Sequence, residues 1–295
     1  MRRRHFFGAC VATAVLALSP LLTHTSLAQR GGGAQGAAAP ARPAPRAPDG
    51  KIILGSPVGE KGTWMAVDNR IAIPEKPEEF GDRDAAANFP SGPGAFPKAK
   101  MSQVPFQPWA RGLFIYRTKH EFEPYTRCKP AGGARMVATA YGTDFIDVPD
   151  QKRIYITQTG GPHSFRPIYM DGRPHPKDMD PTYYGHSVGH WEGDTLVIDT
   201  VGFNERSWID LRGMPTTEQL HLTERITRSD FNTLRYEITI DDPEAYTAPW
   251  TTGMFFRWAP GAEQFEFVCQ DGNLAPILMI GADNKKLDRS SRIAP

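Results

Sequence analysis

The chain has 295 residues, with 34 Lys and Arg against 33 Asp and Glu, a formal net charge of +1, and 28 Gly and 27 Pro. Opposite charges are interspersed and no basic stripe or basic-aromatic motif is present, so no nucleic acid is expected as partner. Past the first residues, no segment approaches the ~20 apolar residues that a membrane-spanning helix needs.

Residues 1–28 have a basic start, an apolar stretch and a small-x-small site at Ser26-Leu27-Ala28, the features of a secretory signal peptide. Arg3-Arg4 followed by His5-Phe6-Phe7 resembles a twin-arginine signal, with plain secretory export as the alternative. A periplasmic or secreted location follows. Residues 29–50 are almost entirely Gly, Ala, Pro and Arg, too poor in large apolar groups to offset the entropy of ordering, and are expected to be a disordered linker. Residues 51–103 carry so many prolines that a wrapping arm is expected, and residues 104–295 form a β-rich domain.

Without the leader two cysteines remain, Cys128 and Cys269. In an oxidising compartment they most simply form one disulfide, free thiols or a metal pair being the alternatives. Trp109, Leu113 and Tyr116 recur at helical spacing in one short helix over residues 108–120, and such a stripe is expected to face the core. Strand patterns then follow at residues 153–157, 165–170, 186–192, 195–201, 220–227, 234–241, 255–258 and 264–269, separated by Gly, Pro, Asn and Asp. No βαβ rhythm is present. The pattern predicts a mainly β fold, an antiparallel barrel or sandwich with a lipocalin-like barrel favoured, plus the Pro-rich arm and the one helix.

Residues 185–203 carry most of the chemistry. Gly193-Asp194 is a two-residue loop suited to a type I′ or II′ hairpin, and it fixes the register. Trp191 then faces Leu196, His190 faces Val197, Val188 faces Asp199 and His186 faces Val201. Alternation puts Trp191, Leu196 and Ile198 on one face and His186, Val188, His190, Val197 and Asp199 on the other. The two imidazoles sit diagonally from Asp199, with Cβ atoms roughly 7–8 Å apart. His186, His190 and Asp199 are therefore candidate acid–base residues. The plain alternative is the wet face of a hairpin whose Trp-Leu-Ile face packs on the core.

Metal is not assigned. In a strand His186 and His190 lie about 13 Å apart, too far for one ion, and Asp178-Met179-Asp180 lacks the spaced further ligands of a calcium loop. Gly185-His186-Ser187-Val188-Gly189 matches Gly-x-Ser-x-Gly, but a nucleophile elbow needs a helix after it and a tight hairpin follows instead. No cofactor fingerprint is present.

A second hairpin turns around residues 229–232, where Asn232 suits a left-handed conformation. Leu222, Ile226, Tyr236, Ile238 and Ile240 form its apolar face, interrupted by Glu224. A carboxylate there must be paired or protonated, so Glu224 is either a site residue or the partner of a structural arginine. Arg225 and Glu237 are expected to pair across the other face. Between the hairpins, Asn204, Trp208 and Asp210 offer an aromatic ring beside an amide and a carboxylate, a combination that grips sugars or rings when it is not a hydrophobic plug. The turn Asp171-Gly172-Arg173-Pro174-His175-Pro176 is either a rim of the same site or simple turn chemistry. Arg173, His221 and Trp250 complete the binding candidates.

The runs Pro105-Phe106-Gln107-Pro108-Trp109-Ala110, Cys128-Lys129-Pro130, residues 168–176, the first hairpin and residues 220–250 together resemble a family of secreted bacterial β-rich proteins with the pattern GHSxGxWEGDTLVxDTxGFN. The resemblance implies export and a β-rich fold and carries no reaction or catalytic residue. The chain departs from it at residues 160–165, where Gly-Gly-Pro-His stands, so His163 is not a family feature. Two functions follow as expectations. One is binding of a small apolar, aromatic or glycan ligand in the barrel, with Trp208, Trp250 and Arg173 near the mouth. The other is a hydrolase or lyase acting on a carbohydrate or aromatic ester through a His/Asp pair, with Arg173 or His221 stabilising negative charge.

Overall fold

The computed structural model describes residues 41–67, 70–79, 98–139, 141–159 and 165–269. In chain order the elements are β1 (Gly62–Ala66), β2 (Ala72–Ile73), β3 (Ala99–Lys100), α1 (Pro108–His120), α2 (Gly133–Val137), β4 (Thr143–Val148), β5 (Arg153–Gln158), β6 (Phe165–Tyr169), β7 (His186–Glu192), β8 (Thr195–Val201), β9 (His221–Asp230), β10 (Thr233–Asp241) and β11 (Trp250–Pro260). Among the described residues nine strands close a barrel in the order β1-β11-β10-β9-β8-β7-β6-β5-β4, sealed where Trp64 of β1 pairs with Thr143 of β4. β2 and β3 form a separate parallel pair.

The hairpin registers come from their turns. In β7–β8 the partners are His186 with Val201, Val188 with Asp199, His190 with Val197 and Trp191 with Leu196, the pairing that a Gly193-Asp194 turn dictates. Gly193 has φ +60° and Asp194 is not among the positive-φ residues, which fits type II′. In β9–β10, Glu224 faces Ile238 and Arg225 faces Glu237. Asn232 does not take the expected left-handed conformation. There Asp230 Oδ1 accepts the Asn232 N–H at 2.8 Å and shapes the turn instead.

Alternation sends Ile154, Ile156, Ile168, Leu196, Ile198, Leu222, Ile226, Tyr236, Ile238 and Ile240 into the core, all nearly inaccessible to solvent. Each fully buried Ile or Leu contributes about 1.5–3 kcal/mol. Among these residues lies an ionic group: Arg166 Nη2 donates to both Glu224 oxygens at 2.9 and 2.7 Å, and Tyr236 Oη donates to Glu224 Oε1 at 2.7 Å. With Trp64, Arg166, Phe256 and Trp258 also buried, this barrel is filled by its own side chains.

β6 and β7 pair in parallel, at Ile168 with Ser187 and Tyr169 with Val188. Parallel neighbours need a long connection. Here it is the helix-free stretch 170–185, which is why no βαβ rhythm announces it. Pro167, with no N–H to give, lies in the part of β6 that β7 does not pair.

Several boundaries shift. Residues 41–50, expected to be disordered linker, lie along the barrel: Arg42 O accepts the Phe231 N–H, the Arg42 guanidinium sits 3.6 Å over the Phe231 ring, and Arg46 binds both Asp194 oxygens at 2.8 and 2.5 Å. The Pro-rich arm contributes β1 to the barrel. Residues 264–268 form no strand, and Gln264 instead bonds Thr157. α1 has the expected bounds, but it buries Ala110 and Phe114 while Trp109 and Tyr116 stay half-exposed. Trp109 is held there because its indole N–H donates to Glu244 O at 2.9 Å. Cys128 and Cys269 are joined in a disulfide across 141 positions.

Candidate functional site

The outer face of β7, β8 and β9 carries a cluster of three histidines and one aspartate. Asp199 on β8 is the hub. Its Oδ1 lies 2.7 Å from His175 Nε2 and its Oδ2 lies 2.6 Å from His221 Nε2. His175 Nδ1 lies 2.8 Å from His186 Nδ1. The Tyr169 ring stacks on His186 with centroids 4.9 Å apart, and the Arg173 guanidinium sits 4.2 Å over Tyr169.

Local structure explains why these groups meet. Asp199 faces Thr223 on β9, so His221 is its diagonal neighbour there, within reach of a planar ring. His175 arrives from the crossover stretch. Pro176 biases it toward extended backbone, and Asp171 anchors the turn by accepting Arg173 Nε at 2.9 Å and Nη2 at 2.5 Å. Further along, the Thr182 N–H donates to Gly202 O and the Asn204 N–H to Thr182 O, which ties the stretch to the end of β8. Gly185, at φ +64°, leads it into β7; a Cβ there would come within 2.5 Å of Val201 O.

An ionised Asp199 only accepts, so His175 and His221 both donate through Nε2–H. In the arrangement where His175 carries its proton on Nε2 alone, its Nδ1 is bare and accepts the Nδ1–H of His186. That leaves His186 Nε2 bare, with no hydrogen-bond partner among the described residues. Burial, then the neighbouring His175 and Arg173, push His186 below the usual histidine value of 6.5. Burial would raise the Asp199 carboxyl, but the hydrogen bonds from His221 and His175 outweigh it and hold it below the usual aspartate value. The Arg173 hydrogen bonds hold Asp171 down at about 2.

The expected residues divide sharply. His186, Asp199 and His221 come together, although His186 reaches Asp199 only through His175. His190 does not join them; it lies two positions beyond Val188, largely exposed, 3.2 Å from Glu192. Arg173 flanks the cluster through Tyr169. Glu224 lies inside the barrel, paired with Arg166. Asn204, Trp208, Asp210 and Trp250 are buried rather than at an open mouth. Asp210 Oδ1 accepts the N–H groups of Arg212, Gly213 and Met214, Asn204 accepts that of Arg206, and Arg117 stacks 5.0 Å over Trp208. Ser187 faces the interior against Thr200 at 2.9 Å. The expected Arg225–Glu237 pair does not form: Arg225 binds Glu192 and Glu237 binds Arg235. His163 lies outside the described residues.

His175 and Tyr169 are the members that pattern reading undervalued. The signal was the Pro-flanked histidine of residues 171–176, legible as a turn but not as a reach across β7. Among the described residues no group of three or more His, Cys, Asp or Glu side chains is placed to hold a metal ion, and no helix is long and apolar enough to cross a membrane. No family model, no curated protein and no solved structure matches this chain.

Proposed function

We propose that the His175–His186–Asp199–His221 cluster is a general acid–base site and that this exported protein is a hydrolase acting on a small aromatic or sugar ester. The observation that carries the reading is the hydrogen-bonded line from Asp199 through His175 to His186, ending in a bare ring nitrogen. His186 Nε2 takes a proton from an attacking water; Nδ1–H can pass its own proton to His175 Nδ1, and Asp199 stabilises the positive charge that develops on the rings. Among the described residues no serine or cysteine belongs to the cluster, so water is the nucleophile in this scheme. Arg173 Nη1, which Asp171 leaves uncommitted, offers charge for a developing oxyanion. The Tyr169 ring is taken up by its stack on His186 and by Arg173 and Arg153 over it, so in this reading it positions His186 and Arg173. The disulfide suits the oxidising compartment that the leader-like N-terminus addresses.

The test is turnover of a panel of p-nitrophenyl esters by the purified full chain, beside the variants H186A and H190A. The proposal expects a measurable ester hydrolysis that falls by about 10²–10⁴ in H186A and is unchanged in H190A. Absence of turnover across the panel, or equal loss in both variants, contradicts it.

A further inference from the structure

A cleft of about 660 Å³ lies between the N-terminal segment 47–56 and the strands β4, β5 and β7, and its walls include no residue of the histidine cluster. Its walls are Ile52, Leu54, Phe145, Ile154 and the Trp191 ring, and Asp147 opens onto it. Trp191 is next to the β7–β8 turn, whereas His186 starts β7 at the opposite end. From the geometry we infer that this cleft binds a small amphiphilic ammonium, an apolar or aromatic body carrying one positive charge, independently of the acid–base site.

Three observations carry this. First, the volume is in the range of small-molecule sites, and four of the wall residues, Ile52, Leu54, Phe145 and Ile154, are buried side chains that make a preformed apolar floor. The segment over it is fixed: Arg228 Nη1 donates to Ile53 O at 2.7 Å and to Gly55 O at 2.9 Å, and Trp64 Nε1 donates to Leu54 O at 2.7 Å. Second, the charge is one-sided. Among the described residues Asp49, Asp144 and Asp147 line the cleft against one cation, Lys51, and Lys51 is paired to Asp49 at 3.2 Å. Asp144 and Asp147 make no ion pair among the described residues. Burial pushes both carboxyls upward, opposed at Asp144 by the Thr63 hydrogen bond and at Asp147 by Lys51, with Asp49 adding to the effect at Asp147. Third, Asp147 shares its strand face with Phe145 and pairs with Ile154, so a cation seated on Asp147 lays its apolar body along those side chains, with the Trp191 ring at hand.

The experiment is isothermal titration of the full chain with 2-phenylethylammonium, with 2-phenylethanol and with 3-phenylpropionate. Saturable one-site binding of the ammonium is expected, about tenfold or more tighter than the alcohol, with the carboxylate weakest. D147N removes that preference, bringing the ammonium down to the alcohol's affinity. Asp147 is exposed on one side, so the variant is expected to fold, and circular dichroism checks it. H186A leaves the ammonium affinity unchanged, which separates this cleft from the acid–base site. Equal affinity for the three probes, absence of saturable ammonium binding, or indifference to D147N overturns the inference.

Discussion

β9 carries an ionisable residue on each side of the barrel wall, Glu224 and His221, and the two have different surroundings. Glu224 points inward, fully buried, and receives Arg166 and the Tyr236 hydroxyl. His221, three residues earlier on the outer face, is partly exposed and holds only Asp199, which in turn holds His175. Inside, removing any partner leaves a charge without water to solvate it. Outside, the line of rings ends at His186, whose Nε2 has no hydrogen-bond partner among the described residues, and the cluster is partly exposed. A polar residue whose hydrogen-bonding capacity is fully used inside the barrel serves architecture, whereas a network that stops short on the outer face is the place where we propose chemistry.

This contrast is broken most forcefully from the inside. Glu224→Leu strands the Arg166 guanidinium, which already has Nε and Nη1 without hydrogen-bond partners, in the barrel core. Chemical unfolding should show a loss of about 3–5 kcal/mol. E224L/R166M should recover much of it, because an apolar pair replaces the ionic one; no recovery would mean that the cost lies in packing. Removing the disulfide with C128A/C269A should cost about 2–5 kcal/mol, read by the same unfolding curve, since the bond closes a long loop.

On the outer face the effects move from stability to activity. Asp199→Asn should cost only ~1 kcal/mol, because its hydrogen bonds are half-exposed. It should nonetheless lower kcat/KM for an ester by about 10²–10⁴, as the line of rings loses its anchor. pH sharpens the same point. The folded protein binds a proton at His186 less well than an unfolded histidine does, so the acid limb of kcat/KM should have its midpoint below 6.5. The same depression means that this ring lowers stability as pH falls through 6.5, since the unfolded chain then binds more protons. Asp199 acts in the same direction lower down: its contribution is present above the usual aspartate value of 3.8 and is lost as pH falls below it. The smallest expected effect is that of His190→Ala, within about 0.5 kcal/mol and without change in turnover, because the ring sits in solvent beside Glu192.

Local signals were readable and long-range ones were not. The Gly193-Asp194 turn carries enough information to set every pairing of β7–β8, and Glu224 stands out in an apolar run by simple alternation. Its partner Arg166 lies 58 positions away and is brought in by closure of the barrel, which no local pattern encodes. His175 is hidden for a related reason. A Pro-flanked turn says how the backbone bends, not that a parallel pairing of β6 with β7 carries the loop over to Asp199. His190 shows the converse: alternation puts it on the correct face, but among the described residues no loop or neighbouring strand supplies it a partner in the cluster. The buried Asn204, Trp208 and Asp210 were ambiguous because a loop that organises its own backbone uses the same residue types as one that grips a ligand.

The most direct test is the protonation pattern of the imidazoles by long-range ¹H–¹⁵N NMR on the selectively labelled full chain at neutral pH. The relay requires His186 in its Nδ1–H form, with His175 and His221 in their Nε2–H forms, and loss of the fixed His175 and His186 forms in D199N. A His186 that carries its proton on Nε2, or that is unchanged when Asp199 is replaced, would contradict the account.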